Sequence, residues 1–301
     1  MLQKIIYIIL GFSIAFVFMP KNAKDYRGNI RPSILGTNTE NIPLIHPSPE
    51  LASALTPPKL SAKAAYAFDL TSGSILFTHN FDEKLPIASL TKLMTALLVV
   101  EMSRDLDEAA EIQPSDTAVM GSNMGLVRGE KITTRNLLAG MLVSSANDAT
   151  LALARTAGGT VDAFIDRMNQ KARILGLFNT RYSNPVGWDT GENYSTALDL
   201  SVLVREFLKH ETLAQLSKTK ELKSSSIDGH VEHILTTTNK LLLEDQRITG
   251  VKTGFTSEAK GNLIAKVTVA DQEVLTIVLG SDDREGDTRN LIDWIFSVYR
   301  W

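Results

Sequence analysis

"KAAYAFDLTSGSILFTHN" (residues 63–80) holds two β-prone runs on either side of "LTSG", a pattern that is typical of a hairpin. A second hairpin pattern lies near the other end of the chain, in "NLIAKVTVADQEVLTIVLGS" (residues 262–281), where "DQ" marks the turn. Helical spacing follows it over about residues 287–299. Because both ends of the chain supply antiparallel strands, the sequence predicts one sheet that is built from both ends.

The middle of the chain is predicted to be mainly helical. Apolar residues recur there at intervals of three to four, and each such segment opens with a residue that favours helix starts: "TRNLLAGML", "DATLALARTAGG", "TVDAFIDRMNQKARILG" and "TALDLSVLVREFLKH". The predicted fold class is therefore α+β. It combines an antiparallel sheet from both ends of the chain, flanking helices and an inserted, mainly helical lobe, with a cleft at the seam.

The composition indicates a globular protein and excludes several kinds of function. With 301 residues and 44% hydrophobic content, the chain can bury one large core or two modest ones. The net charge of -3 gives no general attraction to nucleic acid, so a nucleic-acid partner is excluded. The chain has no cysteine, which excludes disulfides, thiol catalysis and cysteine-ligated zinc.

The N-terminal part of the sequence predicts export from the cytoplasm. Residues 1–20 contain an apolar run that is shorter than the roughly 20 residues of a stable span, so they are interpreted as a signal peptide or a membrane anchor. Residues 21–60 are rich in proline and lack periodicity, which predicts a linker. The folded domain is expected over residues 61–301, outside the cytoplasmic membrane, in the periplasm or at the cell surface.

Ser89 and Lys92 stand three residues apart in "ASLTKLMTALLVVE" (residues 88–101). On a helix this spacing places both side chains on one face, so the amine can reach the hydroxyl. A lysine can act as a base only if its pKa falls well below the ordinary value of about 10.4. The spacing alone is common by chance, and it gains weight only from two further motifs.

The first of these motifs is "LLAGMLVSSANDAT" (residues 137–150), where small polar residues stand between two predicted helices. Such residues often only cap and turn the chain. In a functional interpretation, Ser145 would relay a proton and the Asn147 amide would hold a substrate peptide group.

The second motif is "ITGVKTGFTSEAKGNLIA" (residues 248–265). Lys252, Thr253 and Gly254 would form a receptor for a substrate carboxylate along a sheet edge, with room for the substrate backbone beside them. A glycine turn with an exposed lysine is the simpler interpretation of this motif alone.

Together and in this order, the three motifs match those of penicillin-binding proteins and class A β-lactamases. The longer stretches around them, including "NPVGWDTGENYSTALDLSVL" and "TNKLL", resemble serine-type D-alanyl-D-alanine carboxypeptidases, the low-molecular-mass penicillin-binding proteins. The resemblance covers about residues 64–301. It implies a β-lactamase/transpeptidase-like fold for the catalytic domain.

The resemblance implies a role for each matching residue. Ser89 is expected to be the acyl-ester nucleophile, Lys92 its general base and Ser145 a proton shuttle. Asn147 is expected to bind the substrate backbone. The backbone N–H groups of Ser89 and Phe255 are expected to form the oxyanion hole.

The substrate carboxylate is expected to lie at the third motif. Lys252 and Thr253 would hold the C-terminal carboxylate of a D-alanyl-D-alanine stem peptide, with Gly254 beside them, and Arg284 would assist. The implied activity is removal of the terminal D-alanine from peptidoglycan stem peptides, or cleavage of D-alanine cross-links, without a metal or other cofactor. β-Lactams are the expected covalent inhibitors.

The sequence departs from the family pattern at the cleft. Phe255 stands where a histidine is common, and Val186 and Trp188 replace a usual histidine-glycine pair, which predicts a more apolar wall. The chain stops at Trp301, soon after the closing helix, and this short architecture resembles the endopeptidase members. The choice between carboxypeptidase and endopeptidase therefore stays open.

The sequence has three other interpretations. A class A β-lactamase needs a deacylating glutamate, but Glu192 lacks the E-x-x-L-N pattern. A membrane-tethered sensor would bind penicillin or stem peptides without hydrolysing them, and the sequence allows it. His230 and His233 could suggest a metal pair, but without a third ligand a solvated loop is the preferred interpretation.

Overall fold

The computed structural model describes residues 48–189 and 192–301. The predicted signal or anchor segment and most of the predicted linker lie outside the described residues. The strands are β1 Glu50–Leu51, β2 Ala64–Asp69, β3 Ile75–His79, β4 Leu85–Pro86, β5 Ala109–Glu111, β6 Lys131–Thr133, β7 Tyr194–Ser195, β8 Glu221–Ser225, β9 Glu232–Thr236, β10 Ile248–Thr256, β11 Lys260–Val269, β12 Gln272–Ser281 and β13 Tyr299–Arg300. The helices are α1 Lys92–Met102, α2 Pro114–Thr117, α3 Thr134–Val143, α4 Asn147–Gly158, α5 Val161–Ile174, α6 Ala197–Leu208, α7 Glu211–Ser217, α8 Lys240–Glu244 and α9 Arg284–Val298.

The main sheet has five antiparallel strands in the order β10, β11, β12, β2 and β3. The first predicted hairpin is β2 and β3. Asp69 closes its turn, because its Oδ1 accepts hydrogen bonds from the Ser72 backbone and hydroxyl, and Gly73 supplies a φ of 76°. Ile277 of β12 pairs with Tyr66 of β2. The predicted sheet from both ends of the chain is therefore confirmed.

Alternation along the strands gives the sheet two buried faces. Ile264 and Ile277 point to the helical lobe and belong to the larger core with α1. Leu263 and Val278 point the other way, into a second core against α9. Because both faces are covered, the central strands consist almost entirely of buried residues.

Helix α1 lies in the interior of the helical lobe. Residues 92–99 are all buried, so the helix is surrounded by protein and has no solvent face over that length. The predicted helices of the middle region are present as α3 to α6. Helix α9 begins at Arg284, three residues before the predicted start at 287, because Asp283 caps it by accepting a hydrogen bond from the Gly286 N–H at 3.0 Å.

The two ends of the described chain meet at one corner of the domain. Strand β1 pairs with β13, with Glu50 opposite Arg300. The indole Nε1 of Trp294 donates to the Leu55 carbonyl at 3.1 Å, and that of Trp301 donates to Asp69 Oδ2 at 2.8 Å. Among the described residues, no helix is both long and apolar enough to cross a membrane.

Candidate active site

The Ser89 hydroxyl is presented by a 3₁₀ turn, Ala88–Thr91, that leads directly into α1. The turn is tight: Ala88 has a φ of 47°, and the Leu90 N–H donates to the Ile87 carbonyl at 3.1 Å. A neighbouring loop packs against it so closely that a Cβ on Gly187 would stand 1.9 Å from the Ala88 carbonyl oxygen. Two backbone segments therefore fix the position of Ser89 just before α1.

Lys92 lies one helical turn after Ser89 and is completely buried. Its Nζ lies 2.8 Å from Ser89 Oγ, 2.9 Å from Asn147 Oδ1 and 3.1 Å from the Val186 carbonyl oxygen. Burial lowers the pKa of Lys92 well below the ordinary value for lysine, and the Lys252 cation adds to this.

These three neighbours suit an uncharged amine. The Asn147 and Val186 oxygens can only accept hydrogen bonds, so they take the two N–H groups of a neutral amine. The remaining lone pair then faces the Ser89 hydroxyl, which can donate its proton. The arrangement can therefore activate Ser89 as a nucleophile.

Asn147 connects Lys92 to the wall of the cleft. Its Oδ1 accepts from Lys92, its Nδ2 donates to the Met120 carbonyl at 2.6 Å, and its backbone N–H donates to the Ser122 carbonyl at 2.7 Å. Asn147 is the first residue of α4, but no side chain caps that helix. The Asn147 side chain therefore does not act as a helix cap, which was the simpler interpretation of this segment.

Ser145 lies between α3 and α4 with its hydroxyl facing Lys252. It adopts a φ of 60°, which is rare for a residue other than glycine, and it is only 6% exposed. Its Oγ accepts a hydrogen bond from Lys252 Nζ at 2.9 Å. The Ser144 hydroxyl, by contrast, donates to the Gly140 carbonyl of α3.

Lys252 and Thr253 lie in β10, the edge strand of the main sheet, opposite Ile264 and Leu263. Both side chains are buried, so the interpretation of a glycine turn with an exposed lysine is wrong. Burial and the Arg284 guanidinium lower the pKa of Lys252 to about 7. The Thr253 hydroxyl lies 2.7 Å from the hydroxyl of Thr238.

Gly254 lets β10 approach the Ser89 turn. A Cβ at this position would stand 3.0 Å from the Ile87 carbonyl oxygen and 3.1 Å from the Ser89 nitrogen, which is closer than nearly all real Cβ contacts. A side chain would push the strand away from Ser89. The next residue, Phe255, is 68% exposed at the mouth of the cleft.

Arg284, the first residue of α9, lies beside the same strand. Its Nη1 donates to the Gly254 carbonyl at 2.9 Å and its Nε donates to Glu285 Oε1 at 2.9 Å. Lys92, Lys252 and Arg284 thus bring three basic side chains together in a protein whose net charge is -3. Such a site favours an anionic ligand group.

A cavity of about 650 Å³ opens in front of Ser89. It is large enough for a small ligand or a peptide end. Its lining comes from the lobe, from the loop around Gly187 and from the end of β10: Ser89, Ala118, Met120, Gly121, Ser122, Asn147, Val186, Gly187, Trp188, Asp189, Phe255, Thr256 and Ser257.

A sequence profile of the D-alanyl-D-alanine carboxypeptidase family, peptidase S11, matches residues 51–283. The chain belongs to this family. The predicted membership is confirmed, and the family is extracytoplasmic and acts on peptidoglycan peptides.

Known members of the S11 family match most of the chain. D-alanyl-D-alanine carboxypeptidase DacF of Bacillus subtilis is 32% identical over 247 residues, 79% of this chain and 63% of DacF, so the chain spans less than two thirds of that relative. A D-alanyl-D-alanine endopeptidase of Pseudomonas aeruginosa is 35% identical, covering 81% of this chain and 82% of the relative. The Streptomyces K15 DD-transpeptidase structure matches with a TM-score of 0.77 at 32% identity, covering 81% of this chain and 100% of that one.

The departures from the S11 pattern lie at the surface of the cleft. Trp188 and Phe255 both line it, so the cleft has the apolar wall that the sequence predicts. The Val186 side chain is buried, however, and its contribution is a backbone carbonyl bonded to Lys92. Glu192 pairs with Arg181 at 3.0 Å and its side chain is 70% exposed, which does not suit a deacylating glutamate of the β-lactamase kind.

Sequence reasoning missed a buried pair behind the cleft wall. His233 is 4% exposed; its Nε2 lies 2.7 Å from Glu130 Oε1 and its Nδ1 lies 2.9 Å from the Met124 carbonyl oxygen. Its interpretation as a solvated loop residue is wrong, whereas His230 is exposed. Within residues 48–189 and 192–301, no three acidic or histidine side chains form a group that could hold a metal ion.

Proposed function

We propose that this chain is a serine DD-peptidase that forms an acyl-enzyme at Ser89. The proposal rests on the hydrogen-bond partners of Lys92. The Asn147 and Val186 oxygens can only accept and take its two N–H groups, and its third neighbour, at 2.8 Å, is the Ser89 hydroxyl. Lys92 takes the Ser89 proton as the oxygen attacks the carbonyl of the scissile D-Ala–D-Ala bond. The carbonyl oxygen gains negative charge, and the N–H groups of Ser89 and Phe255 stabilise it.

Collapse of the tetrahedral intermediate breaks the peptide bond and releases D-alanine as an amine. The amine needs a proton, and Ser145, which lies against Lys252, relays it. The Ser145 hydroxyl donates its proton to the amine and takes back the one that Lys92 removed from Ser89, which leaves Lys92 neutral again. The acyl group stays on Ser89 as an ester. A water molecule, deprotonated by Lys92, then hydrolyses the ester and restores the hydroxyl.

The substrate carboxylate is held by β10. Lys252 gives the charge, Thr253 gives a directed hydrogen bond, and Arg284 adds a second positive charge beside Gly254. The substrate backbone lies along the edge of β10, with the Asn147 amide on its other side. This pairing requires a free carboxylate next to the scissile bond.

Product analysis tests the proposed function. Purified peptidoglycan fragments, both uncross-linked and dimeric, are incubated with the protein, and released D-alanine and cleaved dimers are quantified by mass spectrometry. D-Alanine release indicates a carboxypeptidase, and cleavage of the dimer indicates an endopeptidase. Binding without either product would support the sensor and contradict the proposal.

Covalent labelling tests the assignment of the nucleophile. Benzylpenicillin is expected to add its full mass to a peptide that contains Ser89, and Ser89→Ala is expected to remove the adduct. Lys92→Ala is expected to abolish acylation while the fold stays nearly intact. An adduct on another residue would overturn the assignment.

The cellular location and the domain limits are inferred from the sequence. We infer a protein in the periplasm or at the cell surface, with residues 1–20 as signal or anchor, 21–60 as linker and 61–301 as catalytic domain. The family location supports this. Cell fractionation with N-terminal sequencing tests it, since a cleaved signal gives a soluble, shortened protein and an anchor keeps the whole chain in the membrane fraction.

A further inference from the structure

Thr238 lies where the helical lobe meets the edge of the sheet. Its backbone N–H donates to the carbonyl of Val143, the last residue of α3, at 3.3 Å. Its hydroxyl lies 2.7 Å from the hydroxyl of Thr253 in β10. The following residue, Asn239, caps α8 by accepting from the Leu242 N–H. Thr238 is thus fixed through its own backbone and through its neighbour.

We propose that Thr238 is a positioning residue that turns the Thr253 hydroxyl toward the substrate carboxylate. The inference rests on the proposed function, because it assumes that Thr253 binds that carboxylate. It adds a residue that lies outside all three motifs and does not itself need to touch the substrate.

The direction of the hydrogen bond follows from counting protons. Each hydroxyl has one proton to donate, and a carboxylate only accepts. When Thr253 donates to the substrate, its bond with Thr238 must run from Thr238 to Thr253. If the bond ran the other way, the Thr253 oxygen would face the carboxylate with its lone pairs and repel it.

The surroundings of Thr253 make this orientation matter. Thr253 is only 3% exposed, so its hydroxyl has little access to water as a hydrogen-bond partner. Lys252 supplies charge but bonds to the Ser145 hydroxyl and the Thr253 carbonyl. A directed donor from Thr253 therefore depends on a fixed neighbour, and Thr238 is that neighbour.

The test separates orientation of Thr253 from a general structural effect. The Thr238→Val variant keeps the shape and removes the hydroxyl, Thr238→Ser keeps the hydroxyl, and Thr236→Val is the matched control at the exposed end of β9. For each variant, KM and kcat are measured on an N-acylated D-Ala-D-Ala peptide. The inhibition constant of the same peptide with a C-terminal carboxamide is measured by competition.

Loss of one hydrogen bond is expected to raise KM in Thr238→Val by about threefold to tenfold, with kcat and the carboxamide constant changed by less than about twofold. Thr238→Ser and Thr236→Val are expected to behave like the original protein. An unchanged KM, or an equal rise in KM and in the carboxamide constant, would overturn the inference.

Two further results keep the test decisive. If Thr238→Val does not fold, as judged by its thermal transition, Thr238→Ala removes the same hydroxyl without a new methyl contact and takes its place. If the unchanged protein neither releases D-alanine from the peptide nor cleaves dimeric peptidoglycan fragments, the proposed function itself fails, and this inference fails with it.

Discussion

The active site contains two buried lysines with different hydrogen-bond partners. Lys92 contacts oxygens that suit a neutral amine, whereas Lys252 contacts the Ser145 hydroxyl and a backbone carbonyl. In the part of the chain that the structure describes, neither Nζ pairs with a carboxylate. The positive charge near Lys252 is therefore left for an anionic ligand, and its neutralisation on binding adds to affinity.

The pH dependence of kcat/KM follows from these two lysines. Protonation of Lys92 removes the proposed base, so we expect activity to fall toward low pH. Deprotonation of Lys252, whose pKa is about 7, removes the charge that we propose binds the substrate carboxylate, so we expect activity to fall as pH rises through about 7. A bound carboxylate raises the pKa of Lys252, so the alkaline fall is expected at higher pH in kcat than in kcat/KM.

The Lys252→Arg variant checks this assignment, because a guanidinium stays charged throughout the accessible range. Its overall rate is expected to be lower, but the alkaline fall near pH 7 should vanish from kcat/KM. A profile in which that fall keeps its midpoint would show that another group causes it.

The elements that hold the site differ in how far the sequence predicts them. Both hairpins and the helical middle follow from periodicity, and the spacing of Ser89 and Lys92 follows from one helical turn. The contact of Lys92 with the Val186 carbonyl could not be predicted, because every residue has a backbone carbonyl and the residue type does not show which one is used. The contacts of His233 with Glu130 and of Thr238 with Thr253 join residues 103 and 15 positions apart, which only the folded chain shows.

Gly187 sets the distance between that loop and the Ser89 turn. In Gly187→Ala the new Cβ meets the Ala88 carbonyl oxygen at 1.9 Å, and the residue keeps a positive φ of 95°. We expect a loss of about 2 kcal/mol or more in the free energy of unfolding and slower penicillin acylation.

Gly229→Ala is the matched control for this clash. Gly229 also has a positive φ, 74°, but a Cβ there meets no atom within 4 Å. It therefore reports backbone strain alone, and we expect a loss of about 1 kcal/mol with unchanged acylation. Equal effects of the two variants in urea unfolding and acylation assays would contradict the close approach at Gly187.

His233 joins hairpin β8–β9 to the wall of the cleft. Its side chain and that of Glu130 are 2% and 0% exposed, so His233→Ala leaves a buried carboxyl without its partner. We expect a loss of about 3 kcal/mol in the free energy of unfolding. His230→Ala, on the exposed part of the same hairpin, should change it by less than about 0.5 kcal/mol. Chemical denaturation of both variants measures the difference, and comparable stability would refute a structural role for the pair.

At the scale of the whole molecule, the cleft lies on the seam between the lobe and the sheet. Ser89, Lys92, Ser145 and Asn147 come from the lobe, and Lys252 comes from β10. The pair of strands β1 and β13 lies at the β3 edge of the main sheet, opposite the β10 edge, since the Tyr299 hydroxyl donates to the Leu76 carbonyl of β3. Four strand spacings, about 19 Å, separate these edges.

A domain fused after Trp301 is therefore expected to leave activity intact. We expect a fluorescent protein at this position to change the rate of penicillin acylation by less than about twofold, because the point of attachment lies far from Ser89. The same domain inserted after Ser257, which lines the cleft, should slow acylation strongly. Acylation by a fluorescent penicillin measures both, and a strong effect of the first fusion would contradict the placement.

The pairing of β1 with β13 has a mechanical consequence. A pull on the segment before Glu50 acts first on strand β1, in which Glu50 pairs with Arg300 of β13. It then acts on Leu55, whose carbonyl accepts a hydrogen bond from the Trp294 indole. We expect such a load to be borne at that corner, which lies at the edge of the sheet opposite the 3₁₀ turn of Ser89. If residues 1–20 act as an anchor, which is one of their two proposed roles, the protein would bear this load without distortion of the cleft.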